Sequence, residues 1–124
     1  MIEIKDVTIL KIPYPNASSA LFNIPHMYIC TDIRKDVAYI LKCQSYKPYH
    51  KNKDSLPKSR LVENPDKGRN PFIRATIIDL DKIFSASKHL NFPLIDPISE
   101  DLLLLIRSKL PPDTQIIPII PDGI

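Results

Sequence analysis

The sequence predicts a mainly β domain with a C-terminal helix, built as a small bent sheet or barrel. Three observations lead there. Runs rich in β-branched residues and of strand length recur at residues 7–12, 26–33, 37–43 and 73–84. Thirteen prolines accompany only two glycines in 124 residues. Proline has no ladder donor, so it is confined to turns, strand starts and edges, and it stiffens the connections. Helix punctuation occurs clearly at one place, with Ser99 ahead of E-D-L-L-L-L-I and Pro111-Pro112 behind it. The length suits one domain, residues 1–124, around a single core.

In chain order, Val7 to Ile12 reads as a first strand, stopped by Pro13 and Pro15. Residues 16–23 form a loop long enough to cover something. Pro25 opens a second strand, H-M-Y-I-C-T-D-I, and D-V-A-Y-I-L-K-C supplies a third. The charged triplet 34–36 between them predicts an antiparallel hairpin over residues 26–45. Residues 44–70 form a long basic connection, with Leu61 and Val62 as a short strand inside it. Ile73 to Phe84 is the organising strand: Ile73, Ala75 and Ile77 share one face, and Arg74, Thr76 and Ile78 the other. A helical turn is expected over Ser85–Leu90 and turn structure over Asn91–Pro97. The helix at 99–110 has Glu100 and Asp101 in its first turn, where acids suit the helix dipole. Four consecutive leucines make it apolar nearly all round, predicting contact with the barrel on one side and a second partner surface on the other. The tail, 111–124, adds an edge strand or lies across an interface.

Bulk properties narrow the function classes. The formal charge of +3 is unevenly placed: Lys42 to Arg74 holds nine Lys or Arg against three acids, so the rest of the chain is net negative. Cys30 and Cys43 each lie in an apolar run, as reduced core thiols of a cytoplasmic protein would. No charged-then-apolar leader precedes the first strand, and no apolar run approaches membrane-spanning length. His26, His50 and His89 lack metal-ligand spacing, and no glycine-rich phosphate loop or nucleophile elbow is present. Neither metal nor cofactor is expected. What remains is acid/base or electrostatic chemistry by Asp, His, Arg, Lys and Ser.

Two stretches could carry it. Asp79 and Asp81 project to one side where the organising strand ends, with Lys82 adjacent. They either form a site at the core's edge or face water and cap the next helix. The basic connection interleaves Tyr46, Tyr49 and His50 with Lys47, Lys51 and Lys53. That composition suits stacked bases and neutralised phosphates, and equally a solvated loop.

The order of D-V-T-I-L-K-I-P-Y-P, Pro25 opening H-M-Y-I-C, C-Q-S at 43–45, I-I-D-L-D-K-I-F and S-E-D-L-L-L-L-I-R-S-K-L resembles the MazF/PemK (Kid) family of toxins. The resemblance covers most of the chain, with L-D-K-I-F and S-E-D-L its best matches. It implies an SH3-like β-barrel with a C-terminal helix, a homodimer, and a metal-independent endoribonuclease acting on single-stranded RNA. A cognate antitoxin would block the RNA groove.

Position by position, Asp81 matches the family acid and Ser45 the hydroxyl at the end of the third strand. The family's arginine before the second-strand proline is Ile24 here, leaving His26 as the nearest polar substitute. The arginine that several members carry two residues before the acid is Asp79, leaving Arg74 to supply charge from farther back. The expected catalytic residues are therefore Asp81, Arg74, His26 and Ser45, and the expected RNA contacts Tyr46, Lys47, Tyr49, Lys51 and Lys53. Each absent cation puts about 100-fold in rate at stake. The rival expectations are a catalytically inactive member of the fold that binds nucleic acid or protein, and an interaction protein using the leucine helix and isoleucine tail as its contact surface.

Overall fold

The structure, a computed structural model, describes residues 1–11, 25–47 and 56–119. The described elements are β1 (Val7–Leu10), β2 (His26–Arg34), β3 (Val37–Ser45), β4 (Arg60–Glu63), β5 (Thr76–Asp79), β6 (Lys82–Ser87), β7 (Leu94–Ile95), α1 (Glu100–Lys109) and β8 (Gln115–Pro118). The chain is thus mainly β with one helix among the described residues. Its sheet, ordered β4-β5-β3-β2-β1-β7, curls into a half-barrel, with β6 on β3 and β8 on β6. The described pairings are antiparallel apart from β6 with β8.

The hairpin lies where the sequence predicts it. Lys35 and Asp36 join β2 to β3, and Lys35 takes φ 55°, the left-handed backbone that matches a tight turn to the strand twist. The register shifts between Cys30 and Asp32, leaving Thr31 as an extra residue. A bulge frees backbone polar groups from the ladder. Arg107 of α1 answers this one, donating to the Thr31 carbonyl from Nη2 at 2.7 Å and Nε at 3.2 Å.

The predicted single strand from Ile73 to Phe84 is two strands. Ile73 is 85% exposed and Arg74 is also exposed, both ahead of β5. β5 pairs with the end of β3 through Cys43↔Ile78, and β6 with its beginning through Ile40↔Phe84. Two residues of β3, Leu41 and Lys42, therefore face the five residues 79–83, and the surplus chain bows out at Leu80–Asp81. The sequence run conceals this break because its apolar residues continue across it. The interior strands are covered on both faces: Thr76, Ile77 and Ile78 are all buried, so no simple alternation survives there.

Two other boundaries differ from expectation, and the tail takes one of the two forms expected of it. β1 ends at Leu10, with Lys11 beyond it and Ile12 outside the described residues. The helical turn expected at Ser85–Leu90 is instead the end of β6, because burial of Phe84 and Ala86 follows the two-residue period of a strand, and then a turn closed by the Leu90 N–H on the Ser87 carbonyl at 3.2 Å. The tail supplies an edge strand, β8, parallel to β6, and residues 120–124 lie outside the described set.

Two apolar clusters flank the sheet. One gathers Leu10, Tyr28, Cys30, Ile40, Phe84 and Ala86. The other gathers Val7, Ile29, Leu41, Cys43 and Ile78 beneath Leu102, Leu103 and Ile106 of α1. Each fully buried Leu or Ile contributes about 1.5–3 kcal/mol of transfer free energy. The Ser99 side chain caps α1 by accepting the Leu102 N–H at 3.2 Å. Leu104, 54% exposed, leaves an apolar residue on the outer side of the helix.

Candidate functional site

The bow between β5 and β6 makes a polar concavity. Lys42, Gln44, Leu56, Pro57, Asp79, Asp81 and Lys82 line a cavity of about 240 Å³. Its floor is the end of the β3–β5 ladder. Along β3, Leu41 and Cys43 turn into the helix-covered cluster, so alternation sends Lys42 and Gln44 to the opposite face. Just past the Cys43↔Ile78 pair that ends the β3–β5 ladder, Lys42 and Asp79 line the same cavity, near enough for each charge to act on the other. The same face carries Tyr28, the partner of Lys42 on β2, and two residues earlier His26.

Burial dominates the electrostatics. Desolvation raises the Asp79 pKa above the usual carboxylate value, and the Asp81 charge adds to the rise. The Asp81 N–H, Lys82 and Lys42 pull it back. Desolvation likewise lowers the pKa of Lys42; Asp79 opposes that shift and Lys82 reinforces it. Acid and amine are thus each moved toward the neutral form, the direction in which proton-transferring groups are tuned.

Asp81 is differently employed. Its Oδ2 accepts the Lys58 N–H at 2.7 Å and its Oδ1 the Ser59 N–H at 2.9 Å. This aspartate therefore meets residues 58–59 of the basic connection. The carboxylate is engaged by backbone amides rather than turned wholly to the cavity. Its own N–H donates to Asp79 Oδ1 at 2.8 Å.

The remaining sequence candidates scatter. Ser45 pairs with Thr76 and, by alternation, shares the Cys43 face, away from Lys42 and Asp79. Arg74 is exposed ahead of β5, and its carbonyl accepts the Thr76 hydroxyl at 2.9 Å. Tyr46 is half-buried, its N–H on the Ala75 carbonyl at 2.8 Å, and Lys47 is exposed. Tyr49, Lys51 and Lys53 lie outside the described residues.

Sequence reasoning passed over Lys42 and Gln44 as site residues, and of the two acids it took Asp81 rather than Asp79 as the reacting one. The signal for Lys42 was there: a lysine inside I-L-K-C sits in a run otherwise buried. Among the described residues no three His, Cys, Asp or Glu side chains gather as a metal-binding group, and no helix is long and apolar enough to cross a membrane. Comparison of the chain with models of known protein families, with curated proteins and with solved structures finds no match.

Proposed function

We propose that the chain is a MazF/PemK-like toxin, a metal-independent endoribonuclease of SH3-like barrel form that cleaves single-stranded RNA. The observation that carries the reading is the apposition of Lys42 and Asp79 in a polar cavity at the foot of the basic connection.

In the reaction the ribose 2′-oxygen attacks the adjacent phosphorus, and the bond from phosphorus to the 5′-oxygen breaks. Ionised Asp79 takes the 2′-hydroxyl proton. The ammonium groups of Lys42 and Lys82 stabilise the charge that builds on the phosphorane, and Lys42 returns a proton to the leaving 5′-oxygen. His26, on the same face, is the alternative donor. The products are a 2′,3′-cyclic phosphate and a free 5′-hydroxyl, and DNA, which has no 2′-hydroxyl, is spared. Tyr46 and Lys47 extend the surface along which a strand would lie. A cognate antitoxin and a second copy of the chain are the protein partners that go with this reading. Leu104 at 54% and Ile116 at 50% exposure supply apolar surface for such contacts.

A second reading, a catalytically inactive nucleic-acid- or protein-binding module, is favoured by the engagement of Asp81 with backbone amides and by Ile24 and Asp79 standing where the resemblance expects arginines. Incubating the purified protein with mixed single-stranded RNA in EDTA separates the two. Cleavage leaving cyclic phosphate ends supports the enzyme. Salt-sensitive binding without cleavage supports the module. Neither binding nor cleavage removes both nucleic-acid readings.

A further inference from the structure

We infer that Asp81 is a positioning residue: its carboxylate latches the end of the basic connection beside the Lys42–Asp79 cavity, and that placement, rather than a proton on Asp81, is what the site requires. The functional arm of this inference rests on the ribonuclease reading; the structural arm does not.

Three hydrogen bonds form the latch. Two are the amides of Lys58 and Ser59 on the two carboxylate oxygens, at 2.7 and 2.9 Å; the third runs from the Leu80 N–H to the Ser59 carbonyl at 2.9 Å. The two carboxylate bonds join residues 22 and 23 apart in sequence, so the latch closes a long loop rather than a local turn. Immediately before the latched pair, Leu56 and Pro57 supply one wall of the cavity. Immediately after it, β4 begins at Arg60, which pairs with Asp79.

Asp79 grips the N–H of Asp81, and Asp81 grips the connection, so the wall and the acid are set by one continuous set of bonds. The latch uses the Lys58 amide and leaves that side chain exposed, able to meet a phosphate at the cavity rim. Both oxygens of a charged acceptor are engaged, the stronger class of hydrogen bond. An asparagine offers one oxygen and sets an NH₂ against the second amide, so half the latch becomes repulsive.

The test compares wild type with Asp81→Asn by amide hydrogen exchange and by steady-state cleavage of a single-stranded oligoribonucleotide in EDTA. The inference expects exchange at Lys58 and Ser59 to quicken about tenfold or more, with Ile77 and Ile78 unchanged. It also expects KM to rise while kcat keeps its pH profile. Unchanged exchange at Lys58 and Ser59 overturns the latch. A fall in kcat with loss of one limb of the pH profile at constant KM overturns the positioning role and makes Asp81 a reacting group. If Asp81→Asn does not fold, the wild type decides alone: Lys58 and Ser59 amides must exchange as slowly as the β5 ladder, and loop-like exchange overturns the inference. A wild-type protein that cuts no RNA removes the ribonuclease reading and leaves the exchange comparison to decide the latch.

Discussion

Lys42 and Asp79 line one cavity just past the Cys43↔Ile78 end of the β3–β5 ladder, a cation and an acid where β5 gives way to the bow at Leu80–Asp81. Burial disfavours the charged form of each, and each charge in turn steadies the other. Such a pair contributes little net stability but leaves a costly orphan when one member is lost.

A double-variant cycle measures this. Lys42→Met and Asp79→Asn are each expected to lower Tm in thermal unfolding, and the double variant to recover most of the loss. Additive losses would show that the two residues do not interact. Both single variants are expected to lose RNA cleavage by about 100-fold or more.

The pH dependence of stability comes from the raised pKa of Asp79. In the folded chain this carboxyl binds its proton more readily than in the unfolded chain. Its contribution is therefore fully present below the ordinary value of 3.8 and is lost as pH rises through the folded value. Asp79→Asn removes the loss. The stability deficit of the variant relative to wild type is therefore expected to shrink as pH rises above about 4 in denaturant titrations, and a difference that stays flat with pH would contradict the shift.

Neither thiol should react in the folded protein. Cys30 and Cys43 are free and buried, and burial pushes the Cys30 pKa up to about 11 and that of Cys43 higher still. Iodoacetamide at pH 8 is expected to label both only at the rate of unfolding. Rapid labelling under native conditions would contradict the packing described.

Ser99→Ala tests the helix cap that the sequence predicts and the structure contains. The loss of one acceptor at the start of α1 is expected to cost about 1 kcal/mol of unfolding free energy. Because Leu102, Leu103 and Ile106 cover one apolar cluster, Leu103→Ala is expected to cost more, about 2–5 kcal/mol.

The fold was legible where local chemistry decides it. The hairpin over residues 26–45 arises from β-branched runs flanking a charged turn, and the helix from Ser99, its acidic first turn and the prolines beyond. The break at Leu80–Asp81 was not legible, because it comes from β5 and β6 sharing one edge of β3, a long-range constraint that leaves no mark on the apolar run. For the site, a pair of acids beside Lys82 at the edge of the core could be read in advance, since Asp79 and Asp81 are two residues apart and follow an apolar run. Their division of labour could not, because only the positions of the Lys58 and Ser59 amides engage one acid and leave the other facing Lys42. The face Ser45 takes, that of Cys43 rather than Lys42, was not legible for a related reason: one step of strand register decides it.

The most direct test is cleavage of a single-stranded RNA in EDTA by wild type, by Lys42→Met and, in parallel, of the same strand with 2′-deoxyribose throughout. The account predicts RNA fragments ending in 2′,3′-cyclic phosphate from the wild type, a loss of about 100-fold or more in Lys42→Met, and an intact deoxy strand. Wild-type and Lys42→Met proteins cutting RNA equally well, or neither cutting it at all, would contradict it.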